Sequence, residues 1–195
     1  RDGKIGYGDA KKMLAEARKL VAKTALANTE FHQGDVYRLP FADASFDIVS
    51  CRFAVHHFED PPRAFAEMNR VCRPNGRIVW CDGMASDDPA KASALNRMEI
   101  LRDPSTVEFR TLSYLKGLFA GANLPAPNAR FYQVIADMED LIARSFPAND
   151  DREGLRRIIE TSVDGDKFGM SANRDQGKVK LVYRSVVLSA RKSGD

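Results

Sequence analysis

Three groups of residues have types and spacings that could do chemistry. Gly34-Asp35 follows a short segment ending near Gln33. A short carboxylate at a strand end lies where parallel sheets bind ligands, and it can accept from an amino group or a ribose hydroxyl. An aspartate there can equally cap its own turn. His56 and His57 are adjacent and follow a second strand end. Imidazole titrates near neutrality, so either ring could take a substrate proton; the other reading is that both close the loop and pack under the next helix. With His32 they predict no metal site, because no carboxylate or cysteine pattern completes a ligand set. Cys51, Cys72 and Cys81 are an odd number without C-x-x-C spacing. They predict neither a disulfide framework nor a thiolate zinc site, and they fit a reducing cytosol.

Alternating strands and helices must position these residues. Met13, Leu14, Ala17, Leu20 and Val21 form one stripe of an amphipathic helix. Phe31 belongs to a short strand, and Asp47 to Cys51 reads as a strand buried on both faces. Asp60-Pro61-Pro62 gives an N-cap and first turn, with Phe65, Met68, Val71 and Cys72 as the helix's inner face. Pro74-Asn75-Gly76 is a turn and Arg77 to Cys81 a strand, with Trp80 in the core. This rhythm predicts an α/β fold with right-handed crossovers and a mostly parallel sheet. Further helices are expected around 90–101 and over Leu112 to Phe119, the latter stopped at Gly121-Ala122-Asn123. The stripes Met138, Leu141, Ile142 and Leu155, Ile158, Ile159, Val163 make 136–170 a helical insertion. Val179 to Arg191, after the turn Asp175-Gln176-Gly177, reads as an antiparallel strand that ends the sheet. Glu67 and Arg70 read as a solvated helix face. Arg174, Lys178, Lys180, Arg184, Arg191 and Lys192 read as a solvated basic edge.

The 195 residues are 44% hydrophobic and 29% charged, the balance of one ordinary globular domain. A net charge of +3 is too small to argue for nucleic acid. No run reaches the ~18 apolar residues of a membrane span. Arg1-Asp2-Gly3-Lys4 has no apolar signal region and no initiator methionine, so the expectation is a domain that has lost its beginning.

Three stretches act as a set: Gly34-Asp-x-x-x-Leu39-Pro-Phe-x-x-x-Ser45-Phe-Asp-x-Val49, Arg52-x-x-x-His56-His57-Phe58, and Ala66-Glu67-Met68-x-Arg70-Val71-x-Arg73-Pro74-x-Gly76-Arg77. Together they resemble the class I S-adenosylmethionine-dependent methyltransferases, in the small-molecule branch with the ubiquinone/menaquinone C-methylases. The resemblance is specific over residues 31–82 and weaker outside them. It implies a Rossmann-like α/β fold, with a mostly parallel sheet, flanking helices, an antiparallel terminal strand and a small helical cap. It implies one N-terminally truncated domain over 1–195, S-adenosylmethionine as cofactor, and direct displacement of methyl onto a small, partly apolar acceptor in the cytoplasm.

Carried onto this chain, the resemblance gives Asp35 the adenine amino group and the Val36 backbone amide a ring nitrogen. Cys51 and Arg52 then lie beside the methionine part, and His56 and His57 are candidates for proton transfer. Asp9 either holds the ribose or caps its helix. Substrate contacts fall to 84–110 and 136–170, where Met84, Met98, Phe109, Met138 and Phe168 offer apolar surface. The departure is at the front, where no first strand or G-x-G-x-G loop precedes the Met13 helix; Gly3-x-x-Gly6-x-Gly8 has the wrong order. A sheet edge is therefore expected to be exposed, and a second chain could cover it. The rival reading is a non-catalytic remnant acting as a partner subunit. A nucleotide-dependent oxidoreductase lacks its glycine fingerprint here.

Overall fold

The computed structural model describes residues 7–24 and 28–194. α1 (Tyr7–Thr24) carries the first apolar stripe. β1 (Phe46–Arg52) crosses through α2 (Pro61–Val71) into β2 (Cys72–Gly83), and the two strands pair in parallel. Asp60 starts α2 as expected: its carboxylate accepts from Arg63 N at 3.1 Å, with proline following. Pro74-Asn75-Gly76 lies inside β2. The register jumps from Phe46 opposite Cys72 to Ile48 opposite Arg77, so the turn loops out of the ladder.

α3 (Pro89–Arg102) and α4 (Leu112–Gly121) follow, α4 ending before Asn123 at φ 56°. Then comes β3 (Asn128–Asp137), which the periodicity did not signal. α5 (Met138–Ala143) and α6 (Arg152–Glu160) follow β3 as two short helices. β4 (Asn173–Asp175) turns through Gln176 and Gly177, both at positive φ, into β5 (Lys178–Arg191). That backbone suits a tight hairpin, and glycine adopts it without strain.

The sheet order is β1-β2-β5-β3, with β4 also paired to β5. β5 therefore lies inside the sheet, antiparallel to both β2 and β3, and does not end it. The parallel portion among the described residues is the β1–β2 pair. Two further expectations are corrected. Residues 28–34 form no strand, because no described strand lies alongside to complete a ladder. β1 is largely exposed, with Ile48 63% exposed, because its outer edge and one face meet no described strand or helix core.

Two cores lie on opposite faces of β5. Val186, Leu188 and Ala190 join Ile78, Trp80, Phe65, Met68, Leu115 and Phe119 beneath α2 and α4. Val179 and Leu181, of opposite parity, join Met98, Phe109, Met138, Leu155, Ile159 and Phe168 beneath the cap helices. Met98, Phe109, Met138 and Phe168 are thus buried and not substrate surface, because the cap needs a core of its own. No helix among the described residues is long and apolar enough to cross a membrane.

Glu67 and Arg70 are not a solvated pair. Arg70 donates to Glu67, to the carbonyls of Leu39 and Phe41, and to Asp43, while Glu67 Oε2 accepts from Leu39 N at 2.8 Å. Together they fasten the 39–43 segment onto α2. Lys192 likewise leaves the basic edge, donating to the Asn69 and Cys72 carbonyls at the end of α2. Hydrogen bonding from Arg70, aided by the Leu39 amide, draws the Glu67 carboxyl from 4.5 down to about 2. A lowered carboxyl pKa contributes stability above 4.5 that disappears as pH falls toward about 2. Glu67→Gln should therefore lower the urea midpoint at neutral pH and flatten its decline across that window, as measured by fluorescence-monitored unfolding.

Candidate active site at the carboxyl ends of the first two strands

β2 leaves the sheet through Asp82-Gly83. Ile78, Trp80 and Asp82 alternate onto one face, so the carboxylate points where the core lies, and Asp82 is 1% exposed. A buried carboxylate needs donors on both oxygens. Oδ2 accepts from Val55 N at 2.9 Å and His56 N at 3.2 Å. Oδ1 accepts from Gly83 N at 2.7 Å and from His56 Nδ1–H at 2.8 Å. Asp82 thereby caps, from a neighbouring strand, the short 3-10 turn Val55–His57.

With Nδ1–H turned to Asp82, His56 Nε2 has no hydrogen-bond partner among the described residues. The ring is buried, and Phe109 stacks on it with centroids 4.4 Å apart and planes at 12°. Phe109 is clamped in turn: its amide donates to Asn96 Oδ1 at 2.7 Å and its carbonyl accepts from Asn96 Nδ2 at 3.1 Å. The His56 carbonyl accepts from Val107 N and Glu108 N. Gly83 is required by this stack, since a Cβ there would lie 2.7 Å from Phe109 Cε1.

His57 is held differently. Its Nδ1–H donates to the Ser105 carbonyl at 3.0 Å, with the Ser105 hydroxyl at 3.1 Å. Burial, and then the adjacent His56, lower its pKa, so the ring is neutral at pH 7. Cys51 lies partly buried on β1, where burial, then Asp82 and Cys81, push its thiol up to about 12. It holds no thiolate near neutrality. Arg52 is exposed, its guanidinium 4.7 Å from the Phe53 ring centroid.

Asp35 and Val36 form the tight turn ahead of Leu39. Asp35 Oδ1 accepts from Tyr37 N at 2.9 Å and its carbonyl accepts from Arg38 N, so the capping reading of this carboxylate is realised. Among the described residues, Oδ2 and the Val36 amide make no hydrogen bond. The Tyr37 hydroxyl accepts from Asp60 N at 3.0 Å and its ring meets Phe58, which ties the Asp35 turn to the exit from β1. Asp9 falls within α1, but its side chain lies outside the described residues.

Cys51, Arg52 and His56 stand at the carboxyl end of β1 and in the turn that follows it, and the Asp35–Val36 turn reaches that exit through Tyr37. Sequence reasoning missed Asp82 and Asn96. For Asp82 a signal existed: an acid on the apolar parity of a strand, directly before glycine, has no surface role to explain it. For Asn96 there was none, since its partner is a backbone thirteen residues away.

A parallel β-α-β unit whose first strand runs into a turn holding a carboxylate-fixed histidine has the strand-end arrangement at which open α/β sheets bind ligands. Comparison with known proteins narrows this. A sequence family described as a methyltransferase domain matches residues 5–80. The chain is 28% identical to the uncharacterized methyltransferase YcgJ of Bacillus subtilis, over 96% of this chain and 75% of that one. It is 34% identical to YafE of Escherichia coli over 72% of this chain and 68% of that one. It is 44% identical to a demethylmenaquinone methyltransferase of Chlorobaculum parvum over 43% of this chain and 33% of that one. The crystal structure of YcgJ superposes with a TM-score of 0.82 at 27% identity, covering 94% of this chain and 79% of that one. A Bacillus halodurans structure gives 0.81 at 25%, covering 93% and 79%. The chain belongs to the class I S-adenosylmethionine-dependent methyltransferases, with that compound as its cofactor.

Removing the Asp82 carboxylate strands three amides and an imidazole. Asp82→Ala should cost about 3 kcal/mol or more, and Gly83→Ala about 2 kcal/mol from overpacking against Phe109. Equilibrium denaturation of both variants beside the wild type measures this.

Proposed function

We propose that the chain transfers methyl by direct displacement to a small, partly apolar acceptor, with His56 taking the acceptor's proton. The observation that carries the proton-transfer role is the His56–Asp82 pair: Asp82 fixes Nδ1 as donor and leaves Nε2 as the open acceptor. The similarity to demethylmenaquinone methyltransferase over part of the chain supports a small, partly apolar acceptor.

The residues present fit the cofactor. Asp35 keeps one oxygen available for an amino group, and the Val36 amide is a free donor beside it. Cys51 and Arg52 end β1 where the amino-acid portion would lie, and the Cys51 thiol stays neutral and offers no competing nucleophile. Asp9 is the candidate for the ribose. The bound cofactor supplies an electrophilic methyl on a sulfonium, so the chain's task is alignment and exclusion of water. As the acceptor's X–H becomes X–CH3, its proton passes to His56 Nε2, and Asp82 stabilises the resulting imidazolium. His57, tied to Ser105, holds the turn and does not share that task. Residues 1–195 act as one domain, and 136–170 caps the cleft.

Calorimetric titration with S-adenosylhomocysteine tests the cofactor site: micromolar binding is expected, weakened at least tenfold in Asp35→Ala. Equal affinity in the variant removes Asp35 from the site. In turnover assays His56→Gln should lower kcat about 100-fold, with cofactor affinity unchanged.

A further inference from the structure

The strand register builds a second feature beside the dyad. Asp82 stands opposite Val186, and Val186 opposite Phe131, so these three form one row across β2, β5 and β3. Two residues further toward the carboxyl end of β2 come Met84, Arg184 and Gln133: Met84 N donates to the Arg184 carbonyl at 2.8 Å, and Arg184 faces Gln133. Alternation puts both rows on the sheet face that carries Asp82. Met84, Phe131, Gln133 and Arg184 line a cavity of about 440 Å³, within the range of small-ligand pockets. Two strand spacings separate Phe131 from Asp82, roughly 10 Å.

The chemistry of this lining is specific. Phe131 is 59% exposed, although it is a large aromatic on a core-bearing face. Lys178 and Lys180, on the same strand as Arg184, both reach Asp137. Arg184 is exposed and, among the described residues, pairs with no acid. Gln133 directly opposite adds amide donors, and Met84 adds an adaptable apolar wall. An unpaired guanidinium beside an uncovered ring matches a ligand that joins an anionic group to a flat apolar body.

We infer that this pocket holds the methyl acceptor, which carries a carboxylate or phosphate-type group bound by Arg184 and Gln133 and a flat apolar portion lying on Phe131. The inference rests on the methyl-transfer reading proposed above and names its substrate class. The full chain, saturated with S-adenosylhomocysteine, is titrated with benzoate, phenyl phosphate and, as the uncharged counterpart, benzyl alcohol, using NMR shift changes as readout. At least one anion should bind tenfold or more tightly than benzyl alcohol, and the better of the two identifies the carboxylate or phosphate source. Arg184→Met should weaken that anion at least tenfold, Arg184→Lys should retain part of the affinity, and Phe131→Ala should weaken all three probes. Absence of anion binding, equal binding by the alcohol, or unchanged affinity in Arg184→Met overturns the inference. S-adenosylhomocysteine affinity, measured by titration of the same protein preparations, separates the two failures: if it persists while the anions fail, the subsite alone is refuted, and if it is absent, the cofactor site falls with it.

Discussion

A carboxylate withdrawn from water must be surrounded by donors, and the donors that Asp82 gathers fix most of the cleft. Through one side chain it joins the end of β2 to the turn leaving β1, sets the orientation of the His56 ring, and draws that ring against Phe109. Phe109 belongs to the core beneath the cap helices, whereas Asp82 shares a face with the core beneath α2 and α4. The two halves of the molecule therefore meet at the His56 ring.

The central strand β5 explains how one sheet carries two cores. Its fourteen residues bury one parity at the amino end and the other at the carboxyl end. Between these stretches lie Arg184 and Ser185, where the buried face changes and the strand passes the cleft. A polar residue is tolerated there because neither core claims it. The pocket lined by Arg184 and Phe131 falls at this changeover, so it follows from how the strand is shared.

Local signals in the sequence carried far. The Asp60-Pro61-Pro62 start, the inner face of α2, the burial of Trp80 and the hairpin at Gln176-Gly177 all follow from neighbours within a few residues, and they stand in the structure. The motif set over 31–82 also indicated the family. What could not be read depends on distant partners. β3 has its pairing partner about fifty residues later, so its alternation had no meaning until β5 was placed beside it. The expected strand at Phe31 and the expected burial of β1 both assumed neighbours that the described residues do not supply. Glu67 looked like a surface acid because its partner, the Leu39 amide, is twenty-eight positions away.

For the site, residue types were legible and their partnerships were not. Of two adjacent histidines, only the geometry shows that His56 faces a carboxylate and His57 a backbone carbonyl. The proposed proton transfer depends on that distinction, and two-bond nitrogen–carbon-proton NMR of the histidine rings tests it most directly. Neutral His56 is expected as the Nδ1–H tautomer, with its proton at the shift of a strong hydrogen bond that Asp82→Asn alters. A neutral His56 found as the Nε2–H tautomer, or one indifferent to that substitution, would contradict it.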